Sequence, residues 1–448
     1  MSYVIKIKNN NANGLRVVLL SLNWYRRKDP RLPLGIGYIY SELMNITKDF
    51  ATVEVELLEY DVRDNLSDAV HQIMTIAPHI LGIGVYAWNN EAVGKILSSL
   101  QKLGCKPLVV LGGPEITYGG NELKVEFPTA DYFVKGYGES AFAEIVKSLI
   151  EKRTPIFPGI YKKGAMLGEI LASPSSGIES SPFSKPQLAK SLLGHNFLRW
   201  QTQRGCVFRC TFCVFKSPNG AIVESDIKTV AFELKKIKEM GIRKVAVLDP
   251  VFFLNRNRSI EILRLMASIT PDVEYSIQSR FEHLDSTIID ILALMNVKLE
   301  CGLQTLDREV QKSIKRVNNF QKVQESIEML VSNKVRFETH LIYGLPNQVM
   351  KSFASDVFSL NKMGCKKLRI FPLSLLRGTG IANSFENNEG EILFSTIFPR
   401  EVIATKWMNR DEVFFLKGIQ KKMEDSSHSI SVAVKSLRDY EMEVKNYA

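Results

Sequence analysis

Cys206, Cys210 and Cys213 stand in the run Arg204-Gly205-Cys206-Val207-Phe208-Arg209-Cys210-Thr211-Phe212-Cys213, with the spacing C-x3-C-x2-C. Thiolates are soft ligands, and three of them on one short loop can hold three irons of a cubane cluster without the loop having to span a fold. The fourth iron is then left without a cysteine, and a bidentate amino-acid ligand can coordinate there while the other irons stay fixed. Zinc is the competing metal. A closed structural zinc site takes four ligands, however, and the nearest histidine in sequence, His195, precedes the loop rather than joining it. Six cysteines in 448 residues do not make a disulfide framework. The other three, Cys105, Cys301 and Cys365, stand singly in apolar surroundings, which suits buried, inert thiols.

The elements that must position this loop form two β/α series. In the first, Gly14–Leu20 reads as a strand and 34–47 as a helix, followed by strands at 52–59, 80–86, 107–112 and 131–135 and helices at 64–76, 89–103 and 138–152. Apolar strands alternating with helices predict a parallel, Rossmann-like sheet covered on both faces. Ligands of such sheets bind beyond the carboxyl ends of the strands, where the turns Gly112-Gly113-Pro114 and Gly136-Tyr137-Gly138-Glu139 would lie. The simpler alternative is that these glycines only end strands. Residues 153–197, with Pro155, Pro158, Pro174, Pro182, Pro186 and the run Ser173-Pro174-Ser175-Ser176-Gly177, have linker composition, with room for a short hairpin around Gly159-Ile160-Tyr161.

The second series has strands at 198–204, 243–249, 272–278, 297–304, 336–342 and 367–372, and helices near 224–240, 257–268, 286–295, 319–333 and 349–363. Six β/α units make a partial barrel whose reactive end is at the carboxyl ends of the strands, and the cysteine loop follows the first of them. The expected division is therefore a Rossmann-like domain at 1–152, a linker at 153–197, a partial (β/α)6 barrel at 198–384 and a polar, mainly helical extension at 385–448.

The loop and its setting resemble those of the radical S-adenosylmethionine superfamily, marked by C-x3-C-x-aromatic-C at the top of such a barrel. Phe212 fills the aromatic slot. The resemblance implies that Cys206, Cys210 and Cys213 ligate a [4Fe–4S] cluster and that the amino and carboxylate groups of S-adenosylmethionine (SAM) chelate the fourth iron. Electron transfer into the sulfonium then yields methionine and a 5′-deoxyadenosyl radical. Further segments match in order. Leu248-Asp249-Pro250-Val251-Phe252-Phe253-Leu254-Asn255 stands where related enzymes have an acidic turn near the methionine amine, which implicates Asp249. As plain sequence, Asp249-Pro250 is a strand terminator. Leu299-Glu300-Cys301-Gly302-Leu303-Gln304-Thr305 and Lys315-Arg316 are similar to a motif in which a glutamine lines the pocket and an arginine pairs with the methionine carboxylate. Gln304 and Arg316 take those places, the forked guanidinium suiting a carboxylate, and Lys315 is left to face solvent. His340-Leu341-Ile342-Tyr343-Gly344-Leu345-Pro346 resembles the strand that frames adenine, with Gly344 allowing close approach and His340 reading as a core histidine. Leu368–Leu373 with Arg377-Gly378-Thr379 is similar to the last strand of a subgroup, which commonly has proline in place of Arg377.

That subgroup is the radical SAM enzymes with a cobalamin (B12)-binding domain. Leu32-Pro33-Leu34-Gly35-Ile36-Gly37 and the two glycine turns are similar to its landmarks, implicating Gly112, Gly113 and Gly138 in cofactor binding. Two departures stand out: there is no D-x-H-x-x-G motif to supply a histidine to cobalt, and Glu115 occupies a place where histidine is common.

Three functions follow as expectations. The first is radical hydrogen abstraction from an unactivated carbon with cobalamin-dependent methylation of a natural product, peptide or lipid. The second is a radical peptide epimerase or a rearrangement or cyclisation enzyme with a degenerate B12-type domain, in which Cys301 or Cys365 would donate hydrogen. The third is a non-radical Fe–S or zinc binding module. The resemblance also implies an external low-potential electron donor of flavodoxin or ferredoxin type. The start, Met1-Ser2-Tyr3-Val4-Ile5-Lys6-Ile7-Lys8, lacks the apolar core of a signal peptide, and no run approaches eighteen apolar residues. The expected address is cytoplasmic, without a membrane span. Lys and Arg exceed Asp and Glu by 58 to 48 but are dispersed, and pairs such as Lys421-Lys422 suit solvated faces. Nucleic acid is not an expected partner.

Overall fold

A computed structural model describes residues 3–6, 14–24, 34–48, 53–173, 180–193, 195–216, 222–387, 391–424 and 426–447. Met1, Ser2, Ile7 and Lys8, the landmark pair Leu32-Pro33 and the run Pro174–Gly177 lie outside them. The chain divides into two compact units, residues 1–199 with 225–242 and residues 200–224 with 243–448.

The first unit is built on a seven-stranded sheet. Its strands are β1 (Tyr3–Lys6), β2 (Leu15–Asn23), β3 (Val53–Asp61), β4 (Ile80–Gly84), β5 (Leu108–Gly112), β6 (Tyr132–Val134) and β7 (Ile160–Lys162), in the order β1-β3-β2-β4-β5-β6-β7. β2 to β6 are parallel, as their apolar runs predict, and Val17, Val18, Leu19, Leu20 and Leu22 are all buried. Each such aliphatic side chain contributes about 1.5–3 kcal/mol on burial. The edges differ from the sequence reading. β1 and β7 add antiparallel, so β7 extends the sheet beside β6 instead of forming a hairpin of its own. In the segment of linker composition, Phe183 and Leu188 are buried and the Ser181 hydroxyl donates to Glu233 Oε1 at 2.7 Å.

The second unit carries β8 (Phe197–Trp200, straddling the division), β9 (Gln203–Arg204), β10 (Val223–Glu224), β11 (Lys244–Val247), β12 (Glu274–Ser279), β13 (Val297–Gln304), β14 (Arg336–Tyr343), β15 (Leu368–Pro372), β16 (Ile392–Phe394) and β17 (Val402–Thr405). A six-stranded sheet runs in the order β15-β14-β13-β12-β11-β8 and fits a partial barrel. Helices return the chain between strands at Arg256–Ile269, Ser286–Ala293, Phe320–Ser332 and Met350–Lys362. The first three start on side-chain caps: Asn255 accepts from Arg258 N, Asp285 from Ile288 N and Asn319 from Lys322 N.

One expectation needs correction here. The first barrel strand, read as continuous over 198–204, breaks after Trp200 and resumes as the short β9, which pairs antiparallel with β10. The extension at 385–448 is mainly helical as expected, with helices Arg410–Met423 and Ser429–Tyr447, and adds a short antiparallel hairpin, β16 with β17, before them. Among the described residues no helix is long and apolar enough to cross a membrane.

Gly113 has φ of 95°, and a Cβ there would lie 2.6 Å from the carbonyl oxygen of Val85. Gly113→Ala therefore combines a left-handed backbone with a clash against main chain, and should lower stability by about 2 kcal/mol or more. Urea denaturation of the full chain followed by circular dichroism checks this.

Candidate active site

The cysteine loop leaves β9 and returns through β10, so pairing of Gln203 with Glu224 and of Arg204 with Val223 closes its base. Its middle is held by main chain. Thr211 N donates to Ile314 O at 3.0 Å, and Thr211 O accepts from Ile381 N at 2.9 Å. Cys206 and Cys210 are buried, Cys213 is half-buried, and none is in a disulfide. All three line one cavity of about 750 Å³, part of it open to solvent, which Phe208, Phe212 and Phe215 also border. Burial pushes the Cys206 thiol up and that of Cys213 up to about 11, opposed in both by the charge of Arg316. Coordination to a cation is what deprotonates such thiols.

Two arginines converge on this loop. Arg316 is buried, with Nη1 donating to Cys210 Sγ at 3.8 Å and Nη2 donating to Gly302 O. Gly302 leaves space for the Gln304 amide, since a Cβ there would lie 2.7 Å from Gln304 Nε2. Burial lowers the Arg316 pKa, and its Nε has no hydrogen-bond partner among the described residues. The neighbouring Lys315 is exposed. Arg280 lies over the Phe208 ring at 4.2 Å, and its Nη2 donates to Val317 O at 2.8 Å, Glu282 Oε1 at 3.1 Å and Asn318 Oδ1 at 3.2 Å.

The rest of the wall comes from one face of the sheet. Along β13 the alternation is strict: Val297, Leu299, Cys301 and Leu303 are buried, whereas Lys298, Glu300, Gly302 and Gln304 are half-buried on the opposite face. Glu300, Gly302 and Gln304 line the cavity, with Gln278 from β12 and His340 from β14. Gln304 has φ of 73° where the β13–β14 register slips between Gly302 and Gln304. The Ser276 hydroxyl donates to Glu300 Oε1 at 2.5 Å.

Below this wall Glu338 is fully buried and holds three basic side chains, Lys298 at 2.5 Å, His340 Nε2 at 2.9 Å and Arg369 at 3.3 Å. His340, expected as a core histidine, instead borders the cavity and bonds to Glu338. The ligand atoms of Glu300, Glu338 and His340 lie within 4.8 Å of one another, a spacing that could suit a cation. A divalent ion would there have to displace Lys298 and Arg369 from Glu338, which argues against one.

Asp249 is buried but does not line the cavity, which reaches its neighbours Pro250 and Val251. Its Oδ1 accepts from Thr202 N at 2.7 Å and Gln203 N at 3.1 Å, and its Oδ2 accepts from the Thr202 hydroxyl at 2.6 Å. Burial pushes its carboxyl up to about 6, against the pull of those hydrogen bonds and of Arg258. Gly344 is also off the cavity wall, and a Cβ there would lie 2.7 Å from Val402 Cγ1. Cys301 faces away from the lumen. Cys365 is buried ahead of β15, with its Sγ 3.6 Å from Thr339 Oγ1.

In the first unit Gly112 ends β5, Gly113 follows it, and Gly138 opens the helix Gly138–Ile150. After β4, Tyr86 and Trp88 stack with centroids 4.4 Å apart, and Trp88 Nε1 donates to Leu22 O at 3.0 Å. Sequence reasoning passed over this aromatic pair because it carries no motif spacing. Glu115 is buried. His71 is exposed on the helix Leu66–Ile76, and His79, whose Nδ1 accepts from Arg16 N at 3.0 Å, sits at the amino end of β4. Neither stands at the carboxyl end of a sheet strand, where a cobalt ligand would be needed.

The radical SAM superfamily matches residues 200–358, and the B12 binding domain matches residues 41–146. The chain is 23% identical over 396 residues to the cobalamin-dependent radical SAM methyltransferase TokK of Streptomyces tokunonensis, covering 82% of this chain and 56% of that protein. It is 25% identical over 399 residues to 2-(S-pantetheinyl)-carbapenam-3-carboxylate methyltransferase of Streptantibioticus cattleyicolor, covering 82% and 54%. It thus spans little more than half the length of these two curated relatives. The fold is shared with the radical SAM methyltransferase TsrM of Kitasatospora setae, solved with cobalamin and a [4Fe–4S] cluster bound (TM-score 0.67, 15% identity, 93% of this chain and 81% of that one). The two matches and the shared fold agree on a B12-binding domain followed by a radical SAM domain. The radical SAM match implies a [4Fe–4S] cluster and SAM, and the B12-binding match points to cobalamin as a further cofactor.

Lys298, His340 and Arg369 tie the wall to the fully buried Glu338 through opposite charge. Burial raises the Glu338 carboxyl, but hydrogen bonds from His340 and Lys298 and the charges of Lys298 and Arg369 outweigh it and bring it from 4.5 to about 2. A carboxyl depressed in the folded state stabilises it above the unfolded value, and this is lost as pH falls from 4.5 through about 2. The contribution is about 3 kcal/mol. Glu338→Gln should lower stability by that order at neutral pH and should lose less between neutral and strongly acidic pH than the parent does. Urea titrations across that range test both.

Proposed function

We propose that this chain is a cobalamin-dependent radical SAM methyltransferase that abstracts hydrogen from an unactivated carbon of a natural product, peptide or lipid. The observation that carries the reading is the three-cysteine loop opening into one cavity with Arg316 and Gln304, in a chain whose other part matches the B12 binding domain. The donor set fits the cluster: three soft sulfurs on one loop suit three irons of a cubane and leave the fourth for an amino-acid chelate. A bound cluster supplies the electron that converts SAM into methionine and a 5′-deoxyadenosyl radical, and cobalamin supplies a methyl group.

The chain's own residues would then divide the work. Cys206, Cys210 and Cys213 ligate the cluster, and Phe212 packs beside it. Arg316 presents its unpaired Nε and a buried positive charge to the methionine carboxylate, a charge-assisted contact stronger in a site screened from water. Gln304 offers an amide to the nucleoside. Cobalamin would lie against the carboxyl ends of the first sheet, near the Gly112-Gly113 turn and Gly138, without a protein histidine on cobalt. Methyl transfer in particular is supported by the activities named for TokK and the carbapenam methyltransferase. An external low-potential donor and a cytoplasmic address belong to the same reading.

The epimerase reading is disfavoured by the placement of its hydrogen donors. Cys301 and Cys365 are buried, and neither lines the cavity.

Anaerobically reconstituted full-length chain should retain iron, sulfide and added hydroxocobalamin, and should form 5′-deoxyadenosine from SAM in the presence of dithionite. Cys213→Ala should abolish that product. Undiminished 5′-deoxyadenosine from Cys213→Ala would overturn the radical reading, and failure to retain cobalamin would overturn its methyltransferase half.

A further inference from the structure

We propose that Asp249 and Arg258 form a latch that holds the base of the cysteine loop and thereby fixes the geometry of its three sulfurs, so that Asp249 is a positioning residue. The inference rests on the reading of that loop as the cluster site.

The sheet strand ends at Trp200, and the chain must turn before it can pair as β9. At that turn Thr202 and Gln203 direct two backbone N–H groups and one hydroxyl at a single carboxylate, that of Asp249. Asp249 directly follows Leu248, whose N donates to Trp200 O at 2.7 Å, so the latch begins where the sheet stops. From the other side Arg258 Nη1 donates to the Thr202 hydroxyl at 3.2 Å and Nη2 to Thr202 O at 3.0 Å. The Arg258 Nε lies 3.7 Å from Glu224 Oε2, and Glu224 pairs with Gln203 across β9 and β10. One end of the loop is therefore bonded directly to the buried carboxylate of Asp249, and Arg258 joins that end to Glu224 at the other.

The chemistry of the latch demands an acceptor at Asp249. Three donors meet two oxygens there, and an asparagine would turn an N–H2 group towards either the backbone N–H groups or the hydroxyl that already accepts from Arg258. Lysine at 258 would keep the charge but could not span the Thr202 carbonyl, the hydroxyl and Glu224 together, which takes the guanidinium fork. A side chain whose oxygens are filled by the turn is poorly placed to receive a methionine amine as well.

The test compares full-length parent, Asp249→Asn, Arg258→Lys, Thr202→Val and Thr202→Ser, all reconstituted anaerobically. Thermal melts establish folding. The readouts are iron release to a chelator, the electron paramagnetic resonance spectrum and midpoint potential of the reduced cluster before SAM is added, and the dissociation constant for SAM. Asp249→Asn, Arg258→Lys and Thr202→Val should release iron about tenfold faster than the parent and shift the spectrum and potential, the scale seen when partners behind metal ligands are removed. Thr202→Ser, which keeps the hydroxyl, should restore parental behaviour. If Asp249→Asn keeps parental iron retention, spectrum and potential and only weakens SAM binding, the latch is wrong and Asp249 serves the ligand. A parent chain that takes up no iron would overturn the cluster reading itself, whereas a loaded parent matched by all the variants overturns the latch alone.

Discussion

Keeping three thiols on one surface requires that a stretch of chain without regular hydrogen bonding be fixed at its ends and in its middle. In this protein the ends are fixed by β9 and β10 and the middle by Thr211, whose amide and carbonyl are both taken by main chain at Ile314 and Ile381. Main-chain bonds suit the purpose because they leave no side-chain rotamers to order. The residue following Ile314 and Lys315 is Arg316, so the segment that clamps the loop also brings a guanidinium to Cys210. One contact thus sets both the scaffold and the charge beside it.

That charge sits in an unusual balance. Arg280, Arg316 and Glu300 all border the cavity, while Glu338, off its wall, is matched by Lys298, His340 and Arg369. A ligand there would meet charges of both signs that are fixed before it binds.

Most of this was legible in the chain, for identifiable reasons. The cysteine spacing needs no tertiary context, and the strand at 297–304 announced itself through strict alternation of Val297, Leu299, Cys301 and Leu303 with polar neighbours. What the pattern could not say was which face looked inwards. Only the fold turns Glu300 and His340 towards the cavity and Cys301 away from it. The setting of Asp249 was hidden for a related reason: an acidic residue before proline looks the same whether it faces a ligand or the backbone of a turn 47 positions earlier. The break after Trp200 and the hairpin of β16 and β17 were hidden because two- to four-residue strands carry too few residues to show a period.

The polar lumen has a consequence for how such an enzyme can change. In a closed eight-stranded barrel the interior is packed with branched aliphatic side chains, and altering one leaves a void or a clash. Here the inward face of β12 to β14 carries Ser276, Gln278, Glu300 and His340, while the aliphatic residues of β13 face the other way. The hydrocarbon that stabilises the sheet and the groups that border the cavity therefore occupy opposite sides of the same strands. Exchange of bordering groups outside the Glu338 network, such as Gln278, leaves that packing in place, so a lineage with this barrel can try new substrates there at small cost in folding.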